Sequence, residues 1–250
     1  MAFGSNDFIL EVKKMKLIID NQIREKYPDL RIGVVIAQNL NNELYKDELA
    51  DFCRNTFTKF ADKFESFKEL DEVKNIIAWR EIYRSFGVNP KKKKPTAESL
   101  LARSIKSGFV PHISPAVDAY LCAETIHFLP IGGYDLTRIA DDIILRYAKL
   151  GEDFVGVGSE EEENTIEGEV VYADSTRILT RCWNYKDCDF AKIDTHTKTI
   201  ALFVEGAVSE ITDEEIKETT DAIANNLKTY CEASCTVKFL MAEQSEIEIM

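Results

Sequence analysis

Ile32, Val34, Val35 and Ile36 fall in a β-branched apolar run over residues 31–37, with Pro28 before it and the asparagine-rich residues 39–42 after it. A short run bounded by turn formers predicts a buried strand. Beyond it the spacing changes. Leu49, Phe52, Cys53, Phe57, Phe60, Ala61 and Phe64 recur every three or four residues, the stripe of an amphipathic helix. The helical pattern extends over residues 43–86, and a second helix carrying Val73, Ile76, Ile77, Arg80, Ile82 and Tyr83 ends at Gly87. Residues 8–24 fit a strand passing into a helix, with no marked boundary.

Breakers and caps divide the chain between residues 87 and 130. Residues 87–95 read as a loop, because Pro90 and Pro95 flank Lys91, Lys92, Lys93 and Lys94. Thr96 is expected to cap the next helix, whose buried stripe is Leu100, Leu101 and Ile105. Ser99 at the third position leaves it without a capping box. Ser114 followed by Pro115 is a stronger start, since proline suits the first helical position. That helix would hold Val117, Tyr120, Leu121, Glu124 and Thr125.

After Pro130 the pattern turns to strands, at residues 143–148, 170–173, 176–180 and 200–204. Glu160, Glu161, Glu162 and Glu163 read as a solvated turn between strands. Thr212 with Glu215 three later is a capping box that opens a helix to Leu227, and residues 237–241 form a closing strand. Helices first, strands next, then a final helix and strand predict the α+β class. The expected form is a layered domain with a central mostly antiparallel or mixed sheet and flanking helices. With no repeat and no long linker, residues 1–250 are expected to form a single domain.

Composition narrows the setting. At 45% hydrophobic and 30% charged residues, the chain can bury a core without disulfide or metal staples. No apolar run approaches the roughly 20 residues of a membrane span, and residues 1–7 lack the basic and apolar regions of a signal peptide. The cysteines at 53, 122, 182, 188, 231 and 235 are dispersed, so free thiols and a cytoplasmic location are expected. A net charge of −13 argues against a sequence-independent polyanion binder, which needs a broad basic surface. Contact with one end of a structured RNA through Lys91–Lys94 stays open beside the simpler reading, a solvated loop.

Candidate chemistry gathers between Pro130 and Trp183. Gly132 and Gly133, followed by Tyr134, either make a tight turn or let the backbone approach a ligand. There is no phosphate-binding loop or dinucleotide fingerprint, and Ser107 before Gly108 lacks a nucleophile-elbow context. Cys182, Cys188 and His196 match no common zinc spacing, so neither metal nor cofactor is expected. Glu169, Asp174, Arg181, Asn184, Asp187, Asp194 and Thr195 all fall near expected strand ends. Arg181 beside Asp174 or Glu169 would hold a polar pocket in shape. Trp183 is either a flat wall for an aromatic group or a core residue.

An ordered set of motifs carries a resemblance. It runs from residues 96–103 through Val117 and Asp118, residues 130–136, Leu145 and Arg146, and residues 168–174, to Arg181, Cys182, Trp183 and Asn184. Over residues 76–206 the chain resembles a freestanding B3/B4 domain, the editing and tRNA-interacting module of the phenylalanyl-tRNA synthetase beta chain. The resemblance implies an α+β fold with a cleft for an aminoacyl-tRNA end or free amino acid. It implies hydrolysis of a mischarged ester by a positioned water, with no protein nucleophile. Glu169, Asp174 and Asp187 would then orient water or an ammonium group. Gly132, Gly133, Tyr134, Arg181, Trp183, Asn184 and Thr195 would contact substrate, and Lys91, Lys92, Lys93 and Lys94 would contact RNA.

The chain departs from the family pattern in three places. Gly132 stands where the motif has a histidine, Tyr120 and Leu121 replace a Thr-Asn pair, and Asp187 is at best the counterpart of a glutamate. The alternative to an editing hydrolase is a non-catalytic module that binds an amino acid, a tRNA end or a protein partner.

Overall fold

The computed structural model describes residues 14–64 and 66–250. Residues 8–13 of the expected first strand lie outside that range. The strand itself, β1, is Lys16–Ile19, and α1 follows at Asn21–Lys26, where the Asp20 carboxylate accepts from the Gln22 N–H at 2.8 Å. β2 occupies Arg31–Gln38, and six consecutive positions from Ile32 are buried. This is the signature of a strand covered on both faces.

The long helical pattern resolves into α2 (Asp47–Ala61), a 3-10 segment (Phe67–Glu72) and α3 (Lys74–Ser85). Gly87 at φ +83° stops α3, a conformation that favours glycine. α4 spans Thr96–Ser107 and α5 spans Pro115–His127. Ser114 caps α5 as expected, its hydroxyl accepting from the Val117 N–H at 3.5 Å with Pro115 in the first turn.

Thr96 does not cap α4. Pro95 occupies that place with extended ψ, and its carbonyl accepts from the Ser99 N–H at 3.0 Å. Thr96 is thereby the first helical residue.

Among the described residues the strands form three sheets. The largest runs β12-β1-β4-β7-β8-β9, with β4 at Ile143–Tyr147, β7 at Val170–Ala173, β8 at Ile178–Arg181, β9 at Lys186–Asp187 and β12 at Glu246–Glu248. Only the β1–β4 pairing in it is parallel. A four-stranded antiparallel sheet runs β11-β2-β10-β3, with β3 at Ile131–Asp135, β10 at Thr199–Gly206 and β11 at Ser234–Leu240. The third is a hairpin of β5 (Asp153–Val155) and β6 (Glu162–Asn164). The α+β class and the mixed, mostly antiparallel pairing are as the pattern predicts, with two principal sheets instead of one.

Three local expectations are corrected. Glu162 and Glu163 belong to β6 and are not a solvated turn, because Glu163 accepts from Arg181 at 3.0 Å and Lys186 at 2.5 Å. Thr176 and Arg177 are not in β8, since the Asp174 carboxylate draws both their N–H groups into a turn at 2.8 and 2.9 Å. The chain closes on β12, after β11.

α6 (Asp213–Cys231) carries the full capping box between Thr212 and Glu215. It packs on β2 so closely that a Cβ on Gly33 would lie 2.1 Å from Thr220 Oγ1. The two principal sheets meet through aromatic side chains. Tyr172 of β7 stacks on Phe203 of β10 with ring centres 5.7 Å apart, and Tyr134 of β3 meets Phe203 edge-on at 6.0 Å. The candidate site lies along this junction.

Candidate active site

The glycine pair is neither a turn nor a loop. Both residues sit in β3, and neither takes a positive φ. Gly133 is required by packing, because a Cβ there would come within 2.1 Å of the Ala201 carbonyl oxygen in β10. A Cβ on Gly132 would meet nothing within 4 Å.

The β8–β9 connection is built around two residues in left-handed conformation, Cys182 at φ +47° and Trp183 at φ +69°. Each such non-glycine residue costs about 1–3 kcal/mol unless its surroundings hold it. Here the surroundings do. Trp183 is buried against Tyr27, Trp79 and Phe86, with ring centres 4.8, 5.4 and 6.2 Å away. Its indole N–H donates to Glu205 at 2.8 Å, and Asn184 Nδ2 donates to the same carboxylate at 3.0 Å. The Tyr172 hydroxyl is a third donor to Glu205, and Tyr83 donates to Asn184 Oδ1 at 2.8 Å.

Burial pushes the Glu205 carboxyl up to about 7, with its three donors pulling the other way. Glu205 is absent from the expected site set. The signal was a lone acid in the apolar stretch of residues 200–206.

Arg181 pairs with Glu169, as one of the two expected partners. Its Nε and Nη2 donate to the two Glu169 oxygens at 2.7 and 2.9 Å, while Nη1 reaches Glu163 at 3.0 Å. Lys93 comes within 3.9 Å of Glu169 and 3.4 Å of Cys182 Sγ. Lys94 pairs with Glu98 at 3.0 Å and lies over the Phe67 ring. Of the four lysines, Lys91 and Lys92 are exposed.

Two neighbouring spaces border this frame. An inner cavity of about 30 Å³ is lined by Gly132, Tyr134, Thr180, Asn184, Asp187 and Glu205, among others. That is room for a water molecule or two. Outside it lies a cleft of about 500 Å³ between α4, α5 and residues 192–195, with Thr96, Arg103, Tyr120, Gly133, Asp187 and Thr195 on its walls. The size suits a small organic ligand. Thr96, Tyr185 and Asp187 border both spaces.

Asp187 is therefore the hinge of the site. Tyr134 Oη and Thr180 Oγ1 are 2.5 Å apart, and Thr180 donates to Asp187 Oδ1 at 2.6 Å. Burial raises the Asp187 carboxyl to about 6, against the opposing effect of the Thr180 bond. A carboxylate titrating there suits a general base near neutral pH.

The expected site residues thus separate. Gly132, Tyr134, Trp183, Asn184 and Asp187 border the inner cavity, and Gly133 and Thr195 the outer cleft. Glu169 and Arg181 face each other behind them. Asp174 stands apart, its carboxylate held by the Ala140, Thr176 and Arg177 N–H groups. Among the described residues no three His, Cys, Asp or Glu side chains are grouped to hold a metal ion. No described helix is long and apolar enough to cross a membrane.

The family model of the B3/4 domain matches residues 78–232, well over half of the chain. The chain belongs to the B3/4 domain family. The matched span takes in α4, α5, β3, β7–β10 and α6, hence every wall of both spaces. The B3/4 chain is also similar to a solved N-terminal fragment of the phenylalanyl-tRNA synthetase beta-subunit from Pyrococcus horikoshii, at 15% identity and a TM-score of 0.48. That similarity covers 96% of this chain and 56% of the solved one, so the B3/4 chain spans little more than half its length. No curated protein matches the sequence.

Proposed function

We propose that this B3/4 domain protein hydrolyses the ester of a mischarged aminoacyl-tRNA, acting in trans, with Asp187 as the general base. The observation that carries the reading is the position of Asp187, a half-buried carboxylate raised to about 6 on the wall shared by a ligand-sized cleft and a water-sized cavity. Membership of the B3/4 family supports the substrate class.

In this reading the aminoacyl ester lies in the outer cleft and a water sits at its inner end. Asp187 takes a proton from the water as its oxygen adds to the ester carbonyl. The tetrahedral intermediate then collapses, the ribose oxygen leaves with a proton, and a free amino acid remains. Thr180 positions Asp187, since its hydroxyl donates to one oxygen and leaves the other for water. Thr96 and Ser99 of the first turn of α4 border the cleft, and the positive end of that helix dipole suits developing negative charge. Arg103 and Lys192 on the cleft walls, with Lys91 and Lys92 nearby in sequence on the α3–α4 loop, would meet phosphate.

The test is release of free amino acid from a panel of mischarged tRNAs. Turnover is expected with at least one of them, and Gly132→Val, which fills open space beside the water-sized cavity, should lower kcat while leaving KM and the melting temperature in place. Saturable tRNA or amino-acid binding without turnover across the panel would replace the hydrolase with a binding module.

A further inference from the structure

On the far side of α5 from the cleft, α2 and α5 bring two thiols together. Cys122 Sγ lies 3.4 Å from Cys53 Sγ and is placed to donate its proton to it. Both cysteines are buried and free. Cys53 also borders a surface pocket of about 150 Å³, whose walls include Phe57, Phe109, Arg54 and His112. Cys122 does not border it. Beside the pocket, His112 Nδ1 lies 2.8 Å from Asp118 Oδ2, and the Tyr45 hydroxyl, 3.8 Å from Cys53 Sγ, donates to the same carboxylate at 2.8 Å.

We propose that Cys53 and Cys122 are a redox-active pair, reached through this pocket and oxidised to a disulfide by a small hydroperoxide. The geometry assigns unequal roles. Cys53 faces the pocket and accepts the Cys122 proton, a bond that holds the Cys53 thiol below its ordinary range and raises that of Cys122. A depressed thiol is the better nucleophile near neutral pH. The Cys53 thiolate attacks the terminal peroxide oxygen, the O–O bond breaks, and the leaving oxygen departs as hydroxide or alkoxide and is protonated. Cys53 is then a sulfenic acid. The Cys122 sulfur attacks it, the S–O bond breaks, and the hydroxide leaves as water with the Cys122 proton. Two thiols and one hydrogen peroxide thus give one disulfide and two waters.

The arrangement is not a nucleophilic triad. Asp118 and Tyr45 both meet His112 at Nδ1, and the hydroxyl stands between the imidazole and Cys53. Closing the sulfurs from 3.4 Å to a bond of about 2.05 Å moves them little more than an ångström. α5 also carries Val117, Tyr120 and Leu121 on the cleft wall, so the disulfide would fix that wall to α2.

The experiment is titration of the reduced full chain with hydrogen peroxide, followed by intact mass and non-reducing peptide mapping. A loss of about 2 Da, mapped to a Cys53–Cys122 peptide and reversed by dithiothreitol, is expected. In Cys122→Ser the sulfenic acid should persist on Cys53 and be trapped by dimedone. A disulfide mapped to other cysteines, or no mass loss in the wild-type chain under excess peroxide, overturns the proposal, and the wild-type mapping stands if the variant fails to fold.

Discussion

Arg181→Met should lower the unfolding free energy by about 3 kcal/mol, towards the lower end of the range for breaking a buried ion pair. Arg181 and Glu169 are 5% and 2% exposed, and the guanidinium meets both carboxylate oxygens. Removing one partner leaves Glu169 charged in a space that water does not reach. Lys93, 3.9 Å away, keeps part of the attraction, hence the lower end. Glu163 stays paired to Lys186. Urea unfolding of the single variant, of Glu169→Met and of the double variant gives the coupling directly. The double variant should recover more than half of the loss, because two apolar side chains leave no charge unpaired. A single variant within 1 kcal/mol of wild type would mean that the pair does not hold the frame.

The second large effect belongs to Asp187. Asp187→Asn keeps the shape and the bond from Thr180 but cannot take a proton. The rate of ester hydrolysis should fall by about 10²–10⁴, the usual worth of a general base. The pH dependence gives the sharper sign. A base works only as carboxylate, so kcat/KM should rise with pH through about 6 and level above it. In Asp187→Asn that limb should vanish. Thr180→Val should move the limb to higher pH, because the hydroxyl bond is what draws the Asp187 carboxyl downwards. A profile unchanged in either variant would place the base elsewhere.

Much of the architecture could be read from short-range pattern. The strand at β2, the start of α5 and the capping box of α6 are each set by neighbours in sequence. The Thr96 expectation failed because Pro95, one residue earlier, was an equally competent stop. The Glu162 and Glu163 strand was hidden because its reason is distant, the cations of Arg181 and Lys186. The site divides the same way. Asp187 and Gly132 stood out as polar or small residues beside apolar runs. Glu205 did not, because a buried acid is recognisable only once Tyr172, Trp183 and Asn184 are known to converge on it. Asp174 misled for the converse reason, since a carboxylate near a strand end serves a turn as readily as a reaction.

The Glu205 knot also makes the fold a proton acceptor. An ordinary glutamate gives up its proton near pH 4.3, whereas Glu205 in place holds it to about 7. Between those values the folded chain binds more protons than the unfolded one, so this group's contribution to stability is whole in acid, declines as pH rises through that window and levels off above it. The residue that ties the two sheets together and keeps Trp183 in its left-handed turn therefore stabilises the fold most in acid and has lost that advantage once the pH passes about 7, the reverse of the acid lability that salt-bridged carboxylates such as Glu163 impose.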